Sequence, residues 1–200
     1  MKIAIIVISC FVFLVVPQHG WTGGCSPLQI SFTGSYQLVP VEKDVCGLRL
    51  NLPMGDNRNI YGLDLGFLGS ASESKGIMLN LIGNFRSFSD SQDGSGTKGI
   101  QIGGLCNIQF GSGMQGFQLA GLFNSNFENT DGIQIAGLYN GGGEVRGIQV
   151  AGLFNVATSV RGIQIGLINV TQELSGLQIG LINYIRESPV PILPIINLKF

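Results

Sequence analysis

Histidine is almost missing: the 200-residue chain has one, His19. Ser-His-Asp and Cys-His nucleophilic systems, and histidine metal sites, therefore have no imidazole beyond that residue. Charge is scarce too, with 12% Asp, Glu, Lys and Arg where roughly 25% is usual. A net charge of −1 gives no field to attract nucleic acid or an anionic surface, and no aromatic–basic interleaving suggests nucleic-acid binding. Apolar residues at helical spacing do not occur in the body of the chain. The one apolar run, Ile3–Val16, has fourteen residues, short of the roughly 20 needed by a spanning helix. Preceded by Lys2 and closed by Pro17, it fits the apolar region of a signal peptide. Residues 1–24 are accordingly expected to be a signal, with no clear cleavage site, and the chain to be exported. Residues 25–200 remain as a single repeat domain.

Cysteine is sparse. With Cys10 in the expected signal, Cys25, Cys46 and Cys106 remain, an odd set that allows at most one internal bridge. Cys25 and Cys46, both ahead of the regular repeats, are the expected pair. Lipidation at Cys25 stays open, although Thr22-Gly-Gly-Cys25 lacks the apolar residue of a lipobox. The carboxylates are scattered through expected turns, where they read as solvated rather than catalytic. Asp90 and Asp93 share one polar stretch but lack the 12-residue calcium-loop pattern. Gly94–Gly99 matches G-x-G-x-x-G, yet a strand comes after it and a helix does not, so it reads as a loop. No catalytic residue, cofactor, metal site or small-molecule ligand is expected.

Against these absences stand 31 glycines and a mean hydropathy of +0.35. The glycines open one recurring phrase. Its clearest copies are Gly147-Ile-Gln-Val-Ala-Gly-Leu-Phe-Asn155, Gly162-Ile-Gln-Ile-Gly-Leu-Ile-Asn169 and Gly176-Leu-Gln-Ile-Gly-Leu-Ile-Asn183. Earlier copies open at Gly47, Gly62, Gly76, Gly99, Gly116 and Gly132, with successive steps of 15, 14, 23, 17, 16, 15, 15 and 14 residues. A fixed period of this kind means a repeat architecture. The polar stretch Ser87–Lys98 accounts for the long step and is expected to be a mobile loop.

Within each copy the residues alternate. Between Gly147 and Val156 one face carries Ile148, Val150, Gly152, Phe154 and Val156, and the other Gln149, Ala151, Leu153 and Asn155. Phe117, Phe123, Phe127 and Tyr139 fall on the corresponding apolar face of earlier copies. Period two means β-strand. The last two copies are one residue shorter, since Gly166 stands where Ala151-Gly152 would be. That shifts the face of every later residue in the copy, and a bulge is the expected remedy.

Two all-β architectures fit. An up-and-down transmembrane β-barrel of about 10–12 strands would use ten-residue strands and five-residue turns. A parallel β-solenoid would use one coil per repeat of 14–17 residues. In the solenoid Gln101, Gln118, Gln134, Gln149, Gln164 and Gln178 form one ladder, and Asn107, Asn124, Asn140, Asn155, Asn169 and Asn183 another. The low charge favours the barrel, because a soluble solenoid needs a polar exterior. In both, the apolar face with Phe123 and Phe154 is expected to be dry. Arg49 and Asp64 stand third in successive copies, where glutamine stands later, and are expected to share a face and pair.

The run Gly-[Ile/Leu]-Gln-[Ile/Val]-Gly-Leu-[Ile/Phe]-Asn resembles the repeats of bacterial surface repeat-containing proteins. So do Cys46-Gly-Leu-Arg-Leu-Asn-Leu52, Ile60-Tyr-Gly-Leu-Asp-Leu-Gly66 and Pro194-Ile-Ile-Asn-Leu-Lys-Phe200. The resemblance covers about Pro27–Phe200, and departs at Cys46 and at Ser87–Lys98. It implies export to an outer-membrane or cell-surface position and carries no activity. The barrel would be structural or pore-like, with outer-membrane lipid and the barrel-insertion machinery as partners. The solenoid would be a secreted or surface-displayed interaction scaffold.

Overall fold

A computed structural model describes residues 24–33, 36–86, 96–111 and 113–199. The expected signal up to residue 23, Asp90, Asp93, Gly94 and Phe200 lie outside them. The described residues form twelve strands: β1 Cys25–Thr33, β2 Tyr36–Gln37, β3 Asp44–Phe85, β4 Thr97–Gly103, β5 Cys106–Gln109, β6 Met114–Ala120, β7 Phe123–Asn126, β8 Thr130–Ala136, β9 Tyr139–Ala151, β10 Phe154–Ile165, β11 Ile168–Ile185 and β12 Ile192–Lys199. One sheet joins them in the order β12-β11-β10-β9-β7-β5-β3-β4-β6-β8, with β1 and β2 off this path.

The pairing decides the architecture. Every ladder between β3 and β11 is parallel, and each pairs a residue with its counterpart one repeat on: Ile133 with Ile148, Ile148 with Ile163, Ile163 with Leu177. A barrel of up-and-down strands requires antiparallel neighbours. Among the described residues, antiparallel pairing is confined to β1–β2 at the start and β11–β12 at the end. The barrel is therefore wrong, and the chain is a parallel β-solenoid of about nine turns. β1 adds a parallel layer ahead of the first coil and β12 an antiparallel one after the last.

The face that lies inside is also the reverse of the expected one. In coil 147–161 the buried residues are Gln149, Ala151, Asn155, Ala157 and Val160. Ile133 is 38% exposed and Phe127 59%. The apolar face expected to be dry points outward, and the amide face fills the interior. Three successive exposed residues, Gly152, Leu153 and Phe154, turn the coil through a convex corner, so Leu153 leaves the face that alternation assigns it. The short copies omit a corner residue: Gly166-Leu167 replaces Ala151-Gly152-Leu153, while Asn155 and Asn169 remain register partners. The lost residue is absorbed at the corner and not by a bulge. The strand after the long connector begins at Thr97, earlier than the loop limit expected at Lys98.

Each coil has a first side (residues 147–151 in the best copy), a second (154–157) and a third (159–161). A small apolar cluster of Val145, Ala157, Val160, Leu174 and Ile185 fills the interior beneath the third side near the C-terminal end. Outward, the third side and its corner carry Thr158, Ser159 and Arg161. The glycine that opens each coil from Gly62 to Gly176 has φ between 126° and 147°. A Cβ there would overlap the carbonyl oxygen of the glycine one coil back. Only glycine meets both demands, which is why the repeat begins as it does. Cys25 and Cys46 form a disulfide that ties β1 to the start of β3, two residues on from Asp44, the register partner of Cys25, with Cα atoms 5.7 Å apart.

Candidate functional site: an amide spine beneath an apolar surface

A primary amide carries both donor and acceptor, so identical amides stacked in register are self-complementary. The parallel register places the coils' glutamines and asparagines one above another. On the first side, Gln118 Nε2 donates to Gln101 Oε1 (2.8 Å), Gln134 to Gln118 (3.0 Å), and Gln149, Gln164 and Gln178 each to the preceding glutamine (2.8 Å each). Past the corner the asparagines run in the opposite sense. Asn107 Nδ2 donates to Asn124 Oδ1 (2.8 Å), Asn124 to Asn140 (2.9 Å), Asn140 to Asn155 (3.0 Å), and Asn155 and Asn169 each to the next (2.8 Å). The two rows thus set their amide dipoles against each other, which limits the net field inside a low-dielectric interior.

The asparagine has a second duty. Its other N–H donates to the backbone carbonyl just before the next coil's corner, as Asn140 does to Val150 (2.7 Å) and Asn155 to Ile165 (2.8 Å). Asparagine comes after the Gly-Leu corner because a short amide there satisfies a carbonyl that the turn leaves free.

At the N-terminal end the spine ends in charge. Arg49 and Asp64 are both fully buried, and Arg49 Nε and Nη2 donate to Asp64 Oδ1 and Oδ2 (2.7 and 2.9 Å). Asn51 Nδ2 donates to Oδ1 (2.7 Å) and Asn80 Nδ2 to Oδ2 (2.8 Å), while Arg49 Nη1 reaches the Ser70 carbonyl (2.7 Å). The bidentate pair is thus supported on every side, the condition under which a buried ion pair is tolerated. Asn80 also donates to Asn84 (2.7 Å), and Asn84 to Asn107 (2.7 Å), so the asparagine row is continuous with Asp64.

Asn51, Asn80 and Asn84 are not among the residues that the repeat pattern singles out, because the early copies are degenerate: Met78 takes the glutamine place and receives the Gln101 amide on its sulfur (3.4 Å). Gln109 and Asn126 also escape the pattern. They lie in the 17- and 16-residue coils that come after the long connector, Gln109 donating to Gln101 (2.6 Å) and Asn126 to Gln118 (2.9 Å) and Thr130 (2.8 Å). Their parity with Asn107 and Asn124 is the signal that could have found them.

Among the described residues no three His, Cys, Asp or Glu side chains gather to hold a metal. A polar depression of about 340 Å³ beside Glu128 and Asp131 is lined otherwise by Gly111, Gly113, Met114, Gln115 and Asn129. On the surface, the Tyr61 hydroxyl donates to Glu73 (3.0 Å) and Lys75 pairs with the same carboxylate (2.8 Å) while lying over the Tyr61 ring. Burial and then the Glu73 contact push the Tyr61 phenol up to about 12. Burial acts to raise Glu73, but the bonds from Lys75 and Tyr61 outweigh it and hold the carboxyl below its ordinary value.

The fold and the spine together define a polar-cored β-solenoid, a repeat protein whose side chains fill its own interior. Comparison with protein families, curated proteins and solved structures finds no match for this chain.

Proposed function

We propose that the protein is a non-catalytic, exported β-solenoid scaffold that presents its outer surface to a partner. The observation that carries this reading is the inversion of the coil. The interior is occupied by its own hydrogen-bonded amides, while a continuous apolar surface faces out. An apolar patch on a monomer is typically about 300–600 Å², and larger ones mark interaction sites. The first side alone has eleven stacked strands, each of about five residues. At strand spacings of about 4.8 Å and a rise of about 3.3 Å per residue this is about 800 Å².

Two further features support export. The Cys25–Cys46 disulfide suits an oxidising compartment, and the apolar run at Ile3–Val16 suits a signal peptide. The resemblance of the repeats to bacterial surface proteins points the same way. Expression of the full chain in a bacterial host, with fractionation and non-reducing electrophoresis, tests the reading. Recovery outside the cytoplasm with the disulfide formed is expected. A reduced chain confined to the cytoplasm overturns export.

A further inference from the structure

The corner of each coil carries a large apolar side chain, and the corners stack. Leu122 N–H donates to the Leu105 carbonyl (2.8 Å), Leu138 to Leu122 (2.9 Å) and Leu153 to Leu138 (3.1 Å), so the leucines run in one row along the solenoid. Ile82 continues the row one coil back from Leu105, whose N–H donates to its carbonyl (2.9 Å), beside Leu81, which is 64% exposed; Leu181, 62% exposed, lies at the other end. In the degenerate early copies Phe67 and Leu52 are exposed after the corresponding strands. The row is the crest of a wedge. One flank is the first side, whose outward positions are apolar in all eleven strands. From Cys106 onward the other flank carries Phe123, Tyr139, Phe154, Ile168 and Ile182 nearest the crest, without a charge on it.

Charge lies on the opposite side. The residue before each opening glycine forms an outward column in which Lys75, Lys98, Gln115, Asp131, Arg146 and Arg161 are successive register partners. Glu144 pairs there with Arg146 (3.1 Å) and lies 3.7 Å from Arg161. Both signs are present, so this side favours water without favouring an anionic surface.

We infer that the leucine crest and its two flanks are seated in the apolar layer of a lipid surface, with the charged third side turned to water. The inference rests on the scaffold reading and names its partner. Three observations select lipid over a second copy of the chain. A flat neighbour covers one flank, whereas this apolar surface continues around a convex corner onto a second. The strands' backbone groups are consumed by the ladders between coils, so the wedge offers a partner almost no donors or acceptors, and a hydrocarbon layer requires none. The first side matches the about 800 Å² that each partner contributes to a standard interface, but pairing there leaves the exposed crest and second flank in water. The solenoid would lie on the membrane and not cross it, in the manner of an interfacial amphipathic element.

The experiment is flotation of the full chain with phosphatidylcholine vesicles, at low and high salt, beside two variants. Leu122→Asp/Leu153→Asp alters the crest, where both side chains point outward, and Arg146→Ala/Arg161→Ala alters the charged side. All three proteins keep the N-terminal apolar run, so their differences report the wedge. The wild type is expected to float at both salt concentrations, the crest variant to partition ~tenfold or more weakly, and the charged-side variant to behave as wild type. Circular dichroism of the crest variant, unchanged from wild type, separates lost binding from lost folding. Equal flotation of a folded crest variant overturns the inference. A wild type that does not float but dimerises in sedimentation also overturns it, leaving the scaffold reading with a second copy as partner. A wild type that neither floats nor self-associates overturns the lipid inference alone, and the scaffold reading then stands or falls on its own export test.

Discussion

Gly162 lies directly over Gly147, and the space a side chain would need on the first is filled by the carbonyl oxygen of the second. The same contact recurs from coil to coil, so the glycine column sets how closely the coils stack. Gly162 also has φ +145°, where an L-residue is strained. Gly162→Ala is expected to cost more than about 3 kcal/mol, combining strain with steric overlap. Gly111 has φ 72° with open space around its Cβ position, so Gly111→Ala should cost only about 1 kcal/mol. Urea denaturation of the two variants reads the difference.

The Arg49–Asp64 pair should show strong coupling. Asp64→Asn or Arg49→Met leaves one charge buried without its counter-charge, and each is expected to destabilise by about 3–5 kcal/mol. Arg49→Gln/Asp64→Gln removes both charges and substitutes the side chain used by later coils. Its cost should be smaller than either single loss. A double-mutant cycle by chemical denaturation measures the coupling.

In this interior a glutamine is worth more than a leucine. Gln149→Leu leaves Gln134 Oε1 without the donor it has from Gln149, and Gln164 Nε2 without its acceptor. About 2–4 kcal/mol of destabilisation is expected. Ile148→Thr, on the adjacent outward position, should cost less than about 1 kcal/mol. Equal costs would show that Gln149 is not inside.

Tyr61 should titrate late. Its phenol is pushed up to about 12, above the value near 10 of the unfolded chain. The stability linked to it is fully present below pH 10 and lost as pH rises towards 12, because the neutral phenol is the form the fold favours. Ultraviolet titration of tyrosinate is expected to contain a component near pH 12 that Tyr61→Phe removes.

Cys106 should be silent in the folded protein. It is buried, and burial pushes its thiol pKa up; both reduce the exposed thiolate that alkylating reagents need. Iodoacetamide labelling read by mass spectrometry should find Cys106 modified only after unfolding, and Cys25 and Cys46 only after reduction.

The sequence makes the repeats, the strands and the alternation of faces legible, and it places the Gln and Asn rows on common faces. Alternation does not say which face is inside. Ile148 and Gln149 alternate identically in a lipid-facing barrel and in this solenoid, and sparse charge by itself favours lipid around closed, antiparallel strands. The deciding feature is present in the repeat: amides at the same off-centre place in successive repeats line up as one ladder when neighbouring strands run parallel and in register, as Gln149 does with Gln134 and Gln164. The corner is harder to see. Leu153 keeps the parity of Gln149 on paper but is rotated outward by the turn at Gly152, and Gly166 shortens the same turn in later coils without disturbing Asn169. Strict period-two reading fails at such a bend because three exposed residues come one after another. In the early copies, Met78 and Asn80 conceal the continuity between the asparagine row and Asp64.

A dry amide spine inside a parallel solenoid is the central claim, and side-chain amide hydrogen exchange tests it most directly. In deuterated buffer, the NH₂ resonances of Gln134, Gln149, Gln164, Asn140 and Asn155 are expected to persist alongside the most protected backbone amides, while that of exposed Gln172 is lost at once. Loss of the spine amides as fast as Gln172, in a chain whose backbone amides stay protected, would place them in solvent and contradict the structure's inside-out assignment.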